Sequence, residues 1–311
     1  MSRVAPSGKV APSGKVVFVT CEPRQPDWED DQLAADVLNA RGIETSFLAW
    51  DDPGAEWDAF DLVVVRSPWD YGERLDDFLA WADSVGPERL RNRPEVLRWN
   101  TDKRYLAELD GAGLPVPPTL LIAPHGPVPE FGGRVVIKPV TGAGARDTGT
   151  FSDESREDAL ELLARLGDQD EVAMIQPYID AIDEAGETAV LFFGGRYAYA
   201  LRKRAFLPEV GVAATKPGTK IAAAMYQDDL VSLSEASEAE IDLGLKTIAW
   251  LSHRFGSMPL YARIDMVSSP GAGPVLMEVE LTEPSLYMER TASLERPGAE
   301  LFADAVEAEL A

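Results

Sequence analysis

The segment from Tyr261 to Leu281 constrains the fold more tightly than any other part of the chain. Its two arms, Tyr261–Val267 and Pro274–Leu281, alternate apolar and polar residues with period two, the pattern of strands with two unlike faces. Ala262, Ile264 and Met266 share one face of the first arm and leave Arg263 and Asp265 on the other. In the second arm Met277, Val279 and Leu281 share a face, opposite Glu278 and Glu280. The link Ser268–Gly273 has the composition of a hairpin loop. If Val267 faces Pro274, Asp265 is expected opposite Leu276 and diagonal to Glu278. Diagonal neighbours on one sheet face lie about 7–8 Å apart.

Three carboxylates and a guanidinium on one face suit a divalent cation carrying a polyphosphate. Taken alone, the plainer reading is a solvated acidic face, since Asp and Glu together number 53. A site requires matching cations and glycine-rich elements elsewhere. Lys138 ends the apolar strand Val135–Pro139, where a lone cation is costly unless it meets an anion. The small residues of Thr141–Thr148 follow, and their N–H groups are suited to wrapping a phosphate. Arg202, Lys203 and Arg204 form a second cationic cluster at a strand end, whose alternative role is to guard a sheet edge. Together these elements supply the cations and metal ligands that phosphoryl transfer requires.

A chain of 311 residues accommodates two or three compact units. Apolar content of 45% and charged content of 26% are those of a soluble globular protein. No apolar run approaches a membrane span, no signal peptide opens the chain, and Cys21 is the only cysteine, so a cytoplasmic enzyme is expected. A net charge of −24 repels nucleic acid and anionic membranes, which are not expected partners. A small molecule remains the expected partner, and a homodimer is compatible with the composition.

The hexapeptide Val-Ala-Pro-Ser-Gly-Lys occurs twice in tandem at residues 4–15, so residues 1–15 read as a flexible leader; the context of a Walker A loop is missing. Strands at Val16–Thr20, Glu44–Ala49 and Leu62–Val65 alternate with helices over Asp30–Arg41 and Leu75–Ser84, which predicts a parallel α/β unit over 16–98. Ligands in such units sit beyond the carboxyl ends of the strands, which places Arg66 and Tyr71 toward a substrate. The alternative is that Trp69 and Tyr71 pack on the next unit. A helix is expected to start around Trp99–Leu106 with Asn100 or Thr101 as N-cap, opening a second unit over 99–179. That unit holds the strand ending at Pro139, a helix near Arg156–Leu166, the strand Val172–Gln176 and the turn Pro177–Ile179. The third unit, 180–311, begins with strands Glu187–Phe193 and Tyr197–Lys203, then a mobile loop over Val210–Ala224. A helix over Glu238–Arg254 follows, with Ile241, Leu245, Ile248 and Leu251 expected in the core, then the hairpin and a last helix near Gly298–Glu309. His125 and His253 have no partner pattern of a catalytic kind, and Cys21 reads as an inert small residue.

This order of elements, from Val16 onward, resembles the ATP-grasp superfamily of carboxylate–amine ligases, including glutathione synthetase and D-alanine–D-alanine ligase. The pairing of Arg66–Tyr71 with Glu278–Tyr287 is most similar to D-cycloserine synthetase-like members. The resemblance implies an ATP-grasp α/β fold with an N-terminal parallel α/β domain, a small α+β lid domain and a C-terminal α+β domain. It implies Lys103 and Lys138 as nucleotide lysines, Thr141, Gly142, Ala143 and Gly144 as the phosphate lid, and Gln176, Pro177, Tyr178 and Ile179 as the adenine-reading hinge. Glu187 corresponds to the ribose acid, Lys203, Arg263 and Arg146 to catalytic cations, and Asp265 and Glu278 to magnesium ligands. Glu280 stands where the superfamily usually places Asn, so the third metal ligand is a carboxylate and the Mg²⁺/Mn²⁺ preference is open. Candidate substrate contacts are Arg66, Tyr71, Arg146, Ser285 and Tyr287. The implied reaction converts a small amino-acid carboxylate into an acylphosphate with ATP, and an amine then displaces phosphate, either within one molecule or between two. A kinase acting on a hydroxyl and a non-catalytic nucleotide-binding regulator are the alternatives; Lys103, Lys138, Arg263, Asp265 and Glu278 together argue against the regulator.

Overall fold

The computed structural model describes residues 14–22, 28–142, 144–205, 207–214, 230–269 and 271–311. Residues 1–13 of the expected leader, Ala143, and residues 215–224 of the expected mobile loop lie outside the described residues. The chain opens with β1 (Gly14–Thr20), α1 (Trp28–Ala40), β2 (Ile43–Ala49), β3 (Leu62–Ser67), α2 (Leu75–Val85) and β4 (Leu90–Arg91). The four strands form a parallel sheet in the order β2-β1-β3-β4. A continuous apolar strand in a parallel sheet is buried on both faces. Accordingly, Val16 and Phe18 enter a core shared with α1, and Val17 and Val19 enter one shared with α2. Gly14 and Lys15, expected in the leader, are instead the first residues of β1, because they pair with Ile43 and Glu44 of β2.

Next come α3 (Pro94–Asn100) and α4 (Tyr105–Gly111). The unit boundary expected between residues 98 and 99 falls inside α3, and Asn100 ends that helix instead of capping the next one. Its side chain donates to the Val279 carbonyl at 2.6 Å and accepts the Leu281 N–H at 2.7 Å, so pairing with distant backbone wins over a local cap. Asp102 serves the entry to α4, its carboxylate accepting the Arg104 N–H at 2.9 Å.

The chain continues through β5 (Leu120–Ile122), β6 (Val135–Pro139), β7 (Gly149–Phe151), α5 (Arg156–Asp168) and β8 (Ala173–Pro177). After α6 (Ala181–Ala185), β9 (Glu187–Phe193) and β10 (Arg196–Lys203) form a hairpin. Then β11 (Gly211–Val212) pairs with β7, so the start of the expected mobile loop is a strand held by a sheet edge. The second sheet is antiparallel, in the order β11-β7-β6-β8-β5, and α5 covers one face with Ala159, Leu162 and Leu166 against Ile137 and Phe151.

Last come β12 (Val231–Ser234), α7 (Glu238–Phe255), β13 (Tyr261–Ser269), β14 (Gly273–Glu280) and α8 (Gly298–Leu310). The third sheet is antiparallel, in the order β12-β10-β9-β13-β14. Its central strand β9 is buried on both faces: Leu191 and Phe193 pack on the side of α8, Val190 and Phe192 on the side of α7. A reciprocal Ser237–Glu240 capping box starts α7 and fixes its phase with Glu240 inward. The buried stripe is therefore Leu243, Gly244, Thr247, Ile248 and Leu251, and Leu245, expected in the core, is 44% exposed. Gly244 is required there, since a Cβ would lie 2.5 Å from the Phe192 ring. Among the described residues no helix is long and apolar enough to cross a membrane.

Candidate active site

The site is built on β13 and β14, where one irregularity decides its geometry. A bulge follows Asp265, so Met266 pairs with Leu276 while Asp265 pairs directly with Glu278 and Arg263 with Glu280. The diagonal relation expected for Asp265 and Glu278 is thus replaced by a direct one, because Met277 is the extra residue of the bulge. For the same reason Leu276 is fully buried, whereas Met277, expected beside Val279 and Leu281 in the core, is half-buried.

Arg263 and Asp265 are almost wholly buried and bound to each other, with Nε–Oδ1 and Nη2–Oδ2 distances of 3.0 Å. Arg263 also pairs with Glu280 and donates to the Ser285 carbonyl at 3.1 Å, with the Tyr287 ring 5.9 Å from its guanidinium. From β10, buried Lys203 reaches Asp265 at 2.7 Å and Glu187 at 3.0 Å. From the other side of the cleft, Lys103 meets Glu278 at 3.0 Å and donates to the Gly142 carbonyl at 2.7 Å. This lysine links the hairpin to the start of the small-residue loop, where Thr141 bridges to Asp102 and its hydroxyl donates to Glu171 at 2.7 Å. Lys138, at the end of β6, is paired through its backbone with β8, but its side chain makes no ion pair or hydrogen bond among the described residues.

The proton affinities record this pattern. Burial opposes ionisation of Asp265, but Arg263 and Lys203 outweigh it and hold the carboxyl at about 2. Glu278 is likewise held low against burial by Lys103 and Lys138. Glu280 goes the other way: burial lifts it to about 8, Arg263 offsets only part, and Glu278 and Asp265 add repulsion. Glu283 is raised to about 7 by burial, with Tyr71 and Lys103 opposing and Glu278 reinforcing. Burial also lowers Lys138, and the like charges of Lys103 and Lys203 add to that effect. These are the shifts expected where several charges share a low-dielectric cleft.

Other expected site residues are placed differently. Arg66 is 2% exposed, bonded to Asp31 at 2.8 Å and to the Pro284 carbonyl at 3.0 Å, and lies over the Tyr261 ring at 5.1 Å. It is a buried link between the first and third sheets and does not open on a substrate, because those partners enclose it. Tyr71 is also buried, and its hydroxyl donates to Glu283 at 2.7 Å; Trp69 donates to the Glu283 carbonyl at 3.5 Å. Arg146 folds back onto Gly142, within the loop, and its nearest acid is Asp147 at 3.9 Å, so it is not joined to Arg263 and Lys203. At the hinge, the Gln176 side chain donates to Thr119 at 2.9 Å, and the Tyr178 N–H is already taken by the Arg134 carbonyl at 2.8 Å. Pro177 has no N–H, which leaves the N–H of Ile179 beyond the strand. Glu187 neutralises Lys203. Ser285 and Tyr287 flank Arg263, and Gly144 lies in a turn with φ 66. Cys21 is buried, and His125 and His253 are exposed away from the cleft.

Asn92 and Glu283 escape a reading by motif. Asn92 donates to the Tyr261 and Leu281 carbonyls at 3.0 and 2.7 Å and accepts the Leu260 N–H at 2.8 Å, which locks the first sheet to β13. No local pattern marks it. Glu283 had a signal: it is a further acid three residues beyond Glu280, just past the strand end. Among the described residues no three carboxylate, imidazole or thiolate groups are gathered as a metal cage.

A parallel α/β unit, an antiparallel sheet with a lysine-ended strand, and a second antiparallel sheet carrying paired acids define an ATP-grasp carboxylate–amine ligase, an ATP-dependent enzyme that forms amide-type bonds. The chain belongs to the family of the cycloserine biosynthesis protein DcsG. That protein, from Streptomyces lavendulae, is 32% identical over 277 residues, spanning 85% of this chain and 88% of its own. The family model for the N-terminal domain of D-cycloserine synthetase DcsG matches residues 16–92. The crystal structure of D-cycloserine synthetase DcsG superposes with a TM-score of 0.82 at 29% identity, covering 96% of this chain and all of that one. The ATP-grasp ligase PsnB, complexed with a minimal precursor, Mg and ADP, shares the fold with a TM-score of 0.57 at 18% identity over 95% of this chain and 98% of its own.

Proposed function

We propose that this ligase activates the carboxylate of a small amino acid as an acylphosphate and closes an amide-type bond onto a nitrogen carried by the same molecule, with D-cycloserine as the product. The observation that carries the reading is the meeting of Lys103 with the acid face of β13 and β14, within electrostatic reach of Lys138, which has no ion pair among the described residues. In the first step a carboxylate oxygen attacks the γ-phosphorus of ATP and ADP departs. In the second the nitrogen attacks the acyl carbon, the carbon–oxygen bond breaks and phosphate leaves. The chain acts by positioning and by charge, with no covalent protein intermediate.

Lys138 and Lys103 take the polyphosphate, and the N–H groups from Thr141 to Gly144 cover it. The hinge from Gln176 to Ile179 holds adenine through Ile179, and Glu187 turns from Lys203 to the ribose. Arg263, fixed by Asp265 and Glu280, faces the reacting carboxylate, with Lys203 behind it and Ser285 and Tyr287 beside it. Asp265, Glu278 and Glu280 fit a magnesium ion by chemistry, being hard oxygen donors with no imidazole or thiolate among them. When bound, such an ion neutralises part of the polyphosphate charge.

The test is ADP release with a panel of D- and L-amino acids that carry a side-chain nitrogen nucleophile, with and without hydroxylamine. Hydroxamate formation is expected from the activated acid. ADP release with a phosphorylated hydroxyl and no hydroxamate would identify a kinase, and ATP binding without ADP release would identify a regulator.

A further inference from the structure

Five carboxylates belong to the cleft, and four of them have cations. Asp265 has Arg263 and Lys203, Glu278 has Lys103, Glu280 has Arg263, and Glu187 has Lys203. Glu283 differs. Among the described residues its carboxylate has one hydrogen-bond partner, the neutral hydroxyl of Tyr71 at 2.7 Å, and its second oxygen has none. Lys103 and Arg263 act on it electrostatically but form no ion pair with it among the described residues.

The position of this carboxylate is imposed from outside its own sheet. Tyr71 lies in the connection between β3 and α2, its ring stacked on Phe78 with centroids 4.7 Å apart. Trp69, from the same connection, donates to the Glu283 carbonyl at 3.5 Å. One oxygen of Glu283 is therefore fixed by the first sheet's unit, and the other is left for a ligand. A half-buried carboxylate without a cation is costly when ionised beside Glu278, and a cation brought by the ligand removes that cost. Lys138 is its counterpart of opposite sign, a cation with no ion pair among the described residues, and Glu278 and Lys103 act electrostatically on both. An α-amino acid presents both charges on one carbon. Arg263, beside Ser285 and Tyr287, is a cation that could meet one, and Glu283, two residues before Ser285 and without an ion pair among the described residues, is an anion that could meet the other.

We propose that Glu283 receives the amino group of the amino-acid substrate, and that Tyr71 is a positioning residue that holds the carboxylate toward it. The assignment rests on the reading of this chain as a ligase that forms D-cycloserine.

The probes are D-cycloserine and its ring without the amino group, 3-isoxazolidinone, titrated calorimetrically into the full chain saturated with ADP. A charged hydrogen bond contributes about 1.5–3 kcal/mol, so D-cycloserine is expected to bind wild type about ten- to a hundredfold more tightly than the bare ring. Glu283→Gln is expected to erase that difference while leaving the affinity for the bare ring and for ADP unchanged. Tyr71→Phe is expected to reduce the difference severalfold through D-cycloserine alone. Equal affinity of the two rings for wild type overturns the assignment without recourse to any variant. So does a Glu283→Gln protein that loses both rings alike, or that loses Mg²⁺ affinity, which would make Glu283 a structural or metal residue. Failure of both rings to bind wild type overturns the assignment together with the D-cycloserine reading, and the hydroxamate panel then shows whether ligase chemistry on another acid survives.

Discussion

The strand β13 passes through two buried polar regions that are built from similar residues and end in different states. At its start is a seam between the first and third sheets. There Asp31 accepts from Arg66 at 2.8 Å and from Ser67 at 3.0 Å, Tyr261 bonds the Val65 and Thr282 carbonyls at 2.6 and 2.8 Å, and Asn92 clamps β13 from the side. Asp30 accepts the Leu286 and Met288 N–H groups, fixing the segment that carries Ser285 and Tyr287. Two residues further along β13, the cleft begins with Arg263 and Asp265. In the seam the charges are held internally: Arg66 meets Asp31, Asp30 is held by backbone N–H groups, and backbone fills most of the remainder, with Nη1 of Arg66 left without a hydrogen bond among the described residues. In the cleft Lys138 and Glu283 have no ion-pair partner among the described residues, although Glu278 acts on the first and Lys103 and Arg263 on the second electrostatically. A closed network docks two units, whereas a network left open on one cation and one anion has its missing partners in a ligand.

Breaking the seam has the largest expected effect. Asp31→Asn leaves Arg66 as an uncompensated buried charge and is expected to destabilise the chain by about 3–5 kcal/mol, read from urea unfolding, while residual folded protein keeps its ATP affinity. Loss of ATP binding at unchanged stability would reverse the roles of seam and cleft. Glu278→Gln is expected to do the opposite, lowering turnover by about 10²–10³-fold with little change in the unfolding midpoint, read from ADP release. Wild-type rates would remove Glu278 from the site. Lys138→Ala removes a half-buried cation that has no ion pair among the described residues, so it is expected to raise the KM for ATP by about ten- to fiftyfold and leave the ligand-free chain no less stable. A destabilised variant would show that Lys138 has a structural partner.

The smallest effect concerns pH. Glu280 and Glu283 hold their protons in the fold up to about 8 and about 7, against an ordinary value of 4.5 in the unfolded chain. Between these limits the folded state binds more protons, so the stability of the ligand-free chain is expected to fall as pH rises from about 4.5 to about 8. The Glu280→Gln, Glu283→Gln double variant is expected to flatten that slope in urea melts at pH 5, 6.5 and 8. An unchanged slope would mean that neither acid holds its proton in the fold to neutral pH, and that Glu283 is as well compensated as the acids that have cations.

Much of this architecture was legible in the sequence, though not evenly. The run Val16–Val19 reads as a strand buried on both faces, and it divides its side chains between two cores as such a strand must. The alternation of Arg263 and Asp265 with Ile264 and Met266 places the two charges on one face whatever the register. Lys138 at the end of β6 followed by small residues is also a local pattern, and the lysine's charge acts on Glu278. By contrast, Arg66 invites a substrate role from its position at a strand end, and the fold closes over it with Asp31, thirty-five positions earlier in the chain. Asn100 looks like a helix cap and is taken by β14.

The sequence by itself determined the shared face of Arg263 and Asp265 and the two-sided burial of Val16–Val19, because period two is a local property of the backbone. It misplaced Met277 and Leu245, whose faces depend on a bulge and on the phase of α7. Tertiary structure alone decided which of the cleft's charges are neutralised from within. One extra residue, Met277, sets Asp265 against Glu278, and long-range pairing then consumes Asp265, Glu278, Glu280 and Glu187 while leaving Lys138 and Glu283 without an ion pair among the described residues. Charge compensation depends on distances between residues far apart in the chain, and those distances exist only once the three sheets have met.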